Sequence, residues 1–149
     1  MCTIPVGPKV IVKYLFDTDT ISALFKSAPP KTLVDRIASV PLSDQFISTI
    51  TILEICYGAY KKENPRKYID FLEKNVLPRV RVLSFDETAA RIGGKIRAGR
   101  EKTGKPVSPL DLQTAAIALA NGCTLITGNT RHFEDISGLE VENWISQTT

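Results

Sequence analysis

Asp17 and Asp19 stand one residue apart at the end of an apolar run, with hydroxyls between and after them in Asp17-Thr18-Asp19-Thr20. Glu54, Asp111 and Asn129 add three more oxygen-bearing side chains, each beside an apolar stretch. Carboxylate oxygens are the donors that hard divalent cations prefer, and acids that converge without a counter-ion repel one another until a cation joins them. Each residue also has an ordinary structural reading. Asp17 or Asp19 can cap a helix, Glu54 can be a solvated helical acid, Asp111 can answer a helix dipole, and Asn129 can occupy a left-handed turn beside Gly128. The readings separate on whether the fold gathers these residues at one edge.

The elements that must position them are legible. Val10, Ile11, Val12, Leu15 and Phe16, interrupted by Lys13, predict a strand buried on both faces of a parallel sheet. Asp17 then lies beyond its carboxyl end, where such sheets bind ligands. A short helix over Thr20 to Lys26, a break at Pro29-Pro30 and a helix over Lys31 to Ser39 follow. Gln45 to Ile47 predicts a strand, and Ser48 caps a helix from Thr49 to about Lys61. Within that helix Ile52, Leu53, Ile55, Cys56 and Tyr57 surround Glu54, which predicts a cleft, and Gly58 leaves space one turn further on. Asn64-Pro65 opens a helix that ends at Pro78, Arg81 to Leu83 reads as a strand, and Asp86 opens a helix to about Lys102. Ser108 and Pro109 start a helix in which Asp111 is the third residue and Ala115 to Ala120 is wholly apolar. Gly122 stops it, Thr124 to Thr127 reads as a buried strand, and Leu139 to Trp144 as an edge strand. Strands alternating with helices, with no repeat, predict an α/β sandwich around a mostly parallel sheet.

At 149 residues the chain fits one domain, and its 43% hydrophobic and 23% charged composition excludes extended disorder. A net charge of +3 permits RNA or an acidic partner without demanding either. Cys2, Cys56 and Cys123 lack any CxxC spacing, so neither a disulfide framework nor a zinc knuckle is expected, and a reducing cytoplasm is. Cys56 and Cys123 read as small core residues. No apolar run has the length of a membrane span, and Met1 to Pro8 lacks the apolar core of a signal peptide. Residues 1–13 therefore read as a short N-terminal extension and 14–149 as the single domain. His132 is the only histidine, which excludes a histidine-pair ribonuclease mechanism and leaves it as a turn residue within possible reach of RNA. Gly93-Gly94-Lys95 lacks P-loop spacing, and no GxGxxG exists.

Tyr14-Leu15-Phe16-Asp17-Thr18-Asp19, Glu54-Ile55-Cys56-Tyr57-Gly58, Ser108-Pro109-Leu110-Asp111 and Ile126-Thr127-Gly128-Asn129 through Arg131-His132-Phe133 occur in that order. Together with Gly138-Leu139-Glu140-Val141-Glu142-Asn143-Trp144, they resemble the PIN-domain ribonucleases, specifically the VapC toxins of type II toxin-antitoxin pairs. The resemblance implies a PIN-like three-layer α/β/α sandwich with a four- or five-stranded sheet. It also implies a Mg²⁺- or Mn²⁺-dependent endoribonuclease acting on tRNA, rRNA or mRNA, silenced by a cognate small antitoxin, and a homodimer. By position, Asp17, Glu54 and Asp111 become the metal-binding acids, with Asn129 in the fourth catalytic position and Asp19 and Thr127 in support. Many relatives have Asn where Asp19 stands and Asp where Asn129 stands, so one metal is expected and a second is not assured.

An RNA substrate needs cations. Arg97, Arg100 and Lys105 approach the segment that delivers Asp111, whereas Arg91 and Lys95 read as a solvated face. Tyr57 and Tyr60 read as core residues, with base stacking as the alternative. Two rival functions remain. Asp17-Thr18-Asp19-Thr20 also fits the DxDxT signature of aspartyl-nucleophile phosphatases, but those enzymes need a lysine and a further acidic pair after the second motif. A non-catalytic PIN-like module that binds RNA or protein is the other, and the three retained acids argue against it.

Overall fold

A computed structural model describes residues 11–146; Cys2, Val10 and the leader Met1 to Pro8 lie outside it. Five strands, β1 (Lys13–Phe16), β2 (Gln45–Ser48), β3 (Arg81–Leu83), β4 (Cys123–Ile126) and β5 (Val141–Glu142), form one sheet in the order β3-β2-β1-β4-β5. Every pairing among the described residues is parallel, so the mostly parallel expectation becomes a fully parallel sheet. Among the described residues six α-helices cover it: α1 (Thr18–Leu24), α2 (Lys31–Ser39), α3 (Thr49–Tyr60), α4 (Pro65–Phe71), α5 (Glu87–Lys102) and α6 (Pro109–Asn121).

Alternation along the strands builds the two halves of the core. Leu15, Phe46 and Leu125 face one cluster with Ala89 of α5 and Ala115–Ala118 of α6. Phe16, Ile47 and Ile126 face the other, with Ile21, Leu33, Ile55 and Leu72. Three layers result, with β1 at the centre of the sheet. Small residues allow α5 and α6 to pack closely: a Cβ added at Gly93 would lie 3.5 Å from that of Ala116. Gly122 ends α6 at φ 65°, the left-handed position that a glycine takes without steric cost.

Several boundaries differ from the expectation for identifiable reasons. The first strand starts at Lys13, and Ile11 is 69% exposed, because the paired register begins at Lys13 with Cys123 and at Tyr14 with Gln45. Among the described residues no strand pairs with Ile11. The helix expected from Thr20 starts at Thr18, since Asp17 caps it through the Thr18 amide. The helix expected to reach Pro78 ends as α4 at Phe71, then continues as a π turn over Leu72–Val76 and a 3₁₀ turn over Leu77–Arg79. Leu77 keeps helical backbone at φ −57° and ψ −36°, so the proline acts through its missing amide: Pro78 cannot donate to the carbonyl one turn earlier, and the α-helical pattern is not continued. The two remaining strands shift by a residue or two, to Cys123–Ile126 and Val141–Glu142.

Tyr57 and Tyr60 are not core residues. The helix α3 buries Ile50, Thr51, Ile55 and Ala59, which turns Leu53, Tyr57 and Tyr60 outward. Cys56 is half-buried and Cys123 buried; both are free thiols, and burial pushes that of Cys123 up to about 11.

Leu125 is fully buried in a strand paired on both sides. Leu125→Ala is expected to destabilise the chain by ~3 kcal/mol, read from the urea unfolding midpoint. A change under ~1 kcal/mol would mean that the strand is not in the cooperative core.

Candidate active site

The chain runs β1 to β2 to β3 in one direction across the sheet, then returns to place β4 on the other side of β1. The switch point of this parallel sheet therefore lies between the carboxyl ends of β1 and β4, where a crevice opens. The Asp17 amide donates to the Ile126 carbonyl at 2.9 Å, which extends the pairing to that rim. Asp17 on one strand end and Thr127 on the other meet across it.

Asp17 is only 8% exposed. Its Oδ1 accepts from the Thr18 amide at 2.8 Å, and its Oδ2 accepts from the Thr127 hydroxyl at 3.0 Å. Burial pushes its carboxyl up from 3.8 to about 6; the charges of Asp19 and Glu54 push the same way, while the Thr18 amide and Thr127 hydroxyl oppose them. Asp17 is thus a helix cap and a strained acid at once.

Thr127 is fully buried, and its hydroxyl also accepts from the Asn129 amide at 3.1 Å. It holds Asp17 rather than presenting itself to a ligand. Asp19 closes the other side: its Oδ2 accepts from the Gly128 amide at 2.7 Å and the Asn129 side-chain amide at 3.2 Å. A Cβ at Gly128 would lie 2.8 Å from that same oxygen, so the glycine is needed for the carboxylate to enter. Asn129 has φ −105° and ψ 55°, outside the left-handed region. Its side chain is turned toward Asp19.

Glu54 reaches the group through Thr18, whose hydroxyl donates to Oε1 at 2.7 Å and also lies 3.2 Å from the Thr51 hydroxyl. Thr18 was not singled out from sequence, although a hydroxyl between two acids is the signal that would have marked it. Gly58 and Glu54 line one cavity, and a Cβ at Gly58 would meet nothing within 4 Å, in keeping with the space expected there. Asp111 stands in the first turn of α6, which Ser108 caps by accepting its amide at 3.4 Å. Its carboxylate contacts His132 Nδ1 at 3.2 Å rather than another acid. His132, expected to be a turn residue, sits in a 3₁₀ turn over Thr130–Phe133 that buried Phe133 anchors, and from there it meets Asp111.

The expected cations divide. Arg97 pairs with Glu101 at 3.2 Å and lines a groove with Pro109 and Leu112 at the start of α6. Arg100 donates to the Glu134 carbonyl at 3.1 Å, and Lys105 pairs with Asp135 at 3.5 Å. Those two brace the segment that follows His132.

Among the described residues no three His, Cys, Asp or Glu side chains form a ready cage for a metal. The donor chemistry nevertheless fits a hard cation. Asp17, Asp19 and Glu54 have no ion-pair partner among the described residues. Mg²⁺ needs no full protein cage, because it keeps several waters and takes one or two carboxylates together with substrate phosphate.

A parallel five-stranded sheet with acids at its switch point is the architecture of the PIN domain, and residues 14–139 match that family. The chain belongs to it. Its relatives there include VapC ribonucleases. It is 33% identical to the tRNA(fMet)-specific endonuclease VapC of Shigella flexneri over 90% of this chain and 99% of the relative. It is 32% identical to ribonuclease VapC2 of Haemophilus influenzae over 91% of this chain and all of the relative. The crystal structure of DNA-bound VapBC from Salmonella typhimurium superposes with a TM-score of 0.82 at 34% identity, covering 89% of this chain and 98% of that one.

Two outcomes follow from this geometry. The raised Asp17 carboxyl costs stability that is absent below about pH 3.8, grows as pH rises to about 6 and is complete above it, at roughly 3 kcal/mol. In chelator, Asp17→Asn should therefore melt above the wild type at neutral pH and level with it near pH 3.8; a difference independent of pH would refute the burial argument. Gly128→Ala should lower activity at least tenfold by expelling the Asp19 carboxylate, and should add little once Asp19→Ala is present. Additive losses in that double-mutant cycle would show that Gly128 serves something other than Asp19.

Proposed function

We propose that this chain is the toxin of a toxin-antitoxin pair, an endoribonuclease that hydrolyses RNA phosphodiesters with Mg²⁺ or Mn²⁺. The observation that carries the reading is the buried, electrostatically strained Asp17 at the β1/β4 switch point, coupled to Glu54 through Thr18. The names of the VapC ribonucleases support RNA as substrate, and the tRNA(fMet) specificity of the Shigella flexneri relative favours tRNA over rRNA or mRNA.

Asp17, Glu54 and Asp111 would hold the cation. A bound divalent ion supplies a water of lowered pKa and positive charge opposite the transition-state phosphate. Asp19 and Thr127 fix the Asp17 carboxylate and the turn that carries Asn129. His132 orients Asp111 through their contact. Arg97, Arg100 and Lys105 offset the phosphate charge of RNA entering beside α6. The acids near Asp17 serve this chemistry by gathering negative charge that only a cation relieves.

The VapBC complex among the solved structures supports a small antitoxin partner. We assign the domain to 14–149 with residues 1–13 as an extension, and we place the protein in the cytoplasm as a homodimer. Among the described residues no helix is long and apolar enough to cross a membrane. The family match replaces the aspartyl-phosphatase reading, and the retained acids disfavour a non-catalytic module.

The test is expression of wild type, Asp17→Ala and Asp111→Ala, with new RNA 5′ ends mapped after induction. Wild type should arrest growth and generate metal-dependent ends, and each variant should lose at least ~100-fold activity, in the range expected for a lost electrostatic contact to the reacting group. Equal cleavage by wild type and Asp17→Ala would remove the site from the chemistry.

A further inference from the structure

A cavity of about 410 Å³ opens beside Glu54 between α1, α3 and α4. Its volume lies in the range of small-molecule sites. Phe25 and Tyr68 form an aromatic pair at its edge, with ring centroids 6.1 Å apart and planes 29° from parallel. Lys26 and Lys62 also line it, and the Lys62 ammonium sits 5.4 Å from the centre of the Tyr68 ring. Gly58 leaves the floor open, since a Cβ there would meet no atom within 4 Å.

We propose that this cavity seats one nucleotide of single-stranded RNA adjoining the phosphate that is cut, an inference that rests on the nuclease reading above. Three features select that occupant. Phe25 and Tyr68 give the cavity an aromatic wall, and a base can pack on the Tyr68 ring when the Lys62 and Lys67 ammoniums, 5.4 and 5.8 Å from its centre, turn to phosphate. Lys26 and Lys62 match the backbone phosphates on either side, where an apolar helix would instead meet unpaired cations. Glu54 lines the cavity and is tied through Thr18 to Asp17, so a nucleotide held here places its neighbouring phosphate at the acids. Tyr68, rather than Tyr57 or Tyr60, is the tyrosine that faces the site. The base seated there sets a local sequence preference around the cut.

The test measures binding of a short mixed-sequence single-stranded RNA, by fluorescence anisotropy in Mg²⁺, to Asp17→Asn protein and to the same protein with second changes. Gly58→Leu fills the cavity and replaces a helix-interior glycine by a strong helix former, so it should melt no lower than its parent. It should nevertheless bind RNA about tenfold more weakly, as should Tyr68→Leu, while Tyr68→Phe keeps the affinity because it keeps the ring. Unchanged RNA affinity in Gly58→Leu would overturn the proposal, even if that variant lost a protein partner. Failure of the Asp17→Asn chain to bind RNA at all would overturn it together with the nuclease reading. Cavity-dependent binding with no cleavage by the wild type would overturn the nuclease reading and, with it, the placement of this nucleotide beside a cut phosphate.

Discussion

The site depends on keeping a carboxylate where water is largely excluded. Asp17 follows the central strand, where the bond from its amide to Ile126 fixes the backbone and the Thr18 amide and Thr127 hydroxyl hold the carboxylate inward. Among the described residues two donors reach it, the Thr18 amide and the Thr127 hydroxyl, and they do not balance burial and two neighbouring negative charges. Other features of the rim answer that imbalance. α1 starts on Asp17, so its N-terminal dipole faces the carboxylate. Thr127 gives its hydroxyl to the acid, and the site stays short of positive charge until a cation arrives.

Asp19 and Asn129 show how this chain distributes charge around that acid. Asp19 is bound by a backbone amide and a side-chain amide, both from the 128–129 turn. Such donors stabilise the ionised form without competing for a metal. Asn129 therefore acts as a donor to an acid, which is the work of an amide and would be impossible for a second carboxylate. The pairing explains why Asp at 19 and Asn at 129 occur together, and why Gly128 stands between them.

The alternation of strands and helices, the caps at Ser48, Asp86 and Ser108, and the Gly122 stop were all readable from local sequence, because each rests on short-range chemistry. Burial of Ile11 and of Tyr57 was misread for a common reason: apolar character shows that a side chain can be buried, while the lateral extent of neighbouring elements decides whether it is. The gathering of Asp17, Asp19 and Glu54 was visible as a motif order, but its wiring was not. Thr18 joining Asp17 to Glu54, which lies 36 residues beyond Thr18, and His132 turning back to Asp111, arise from the sheet order and from the 3₁₀ turn after β4. Neither has a local signature.

The most direct measurement is a ¹³C NMR titration of the Asp17 side-chain carboxyl with and without Mg²⁺, assigned by its loss in Asp17→Asn. The account predicts a midpoint near 6 without the ion and a fall into or below the ordinary carboxylate range when Mg²⁺ is added. A midpoint near 4 that ignores Mg²⁺ would contradict it, for Asp17 would then be a helix cap and nothing more.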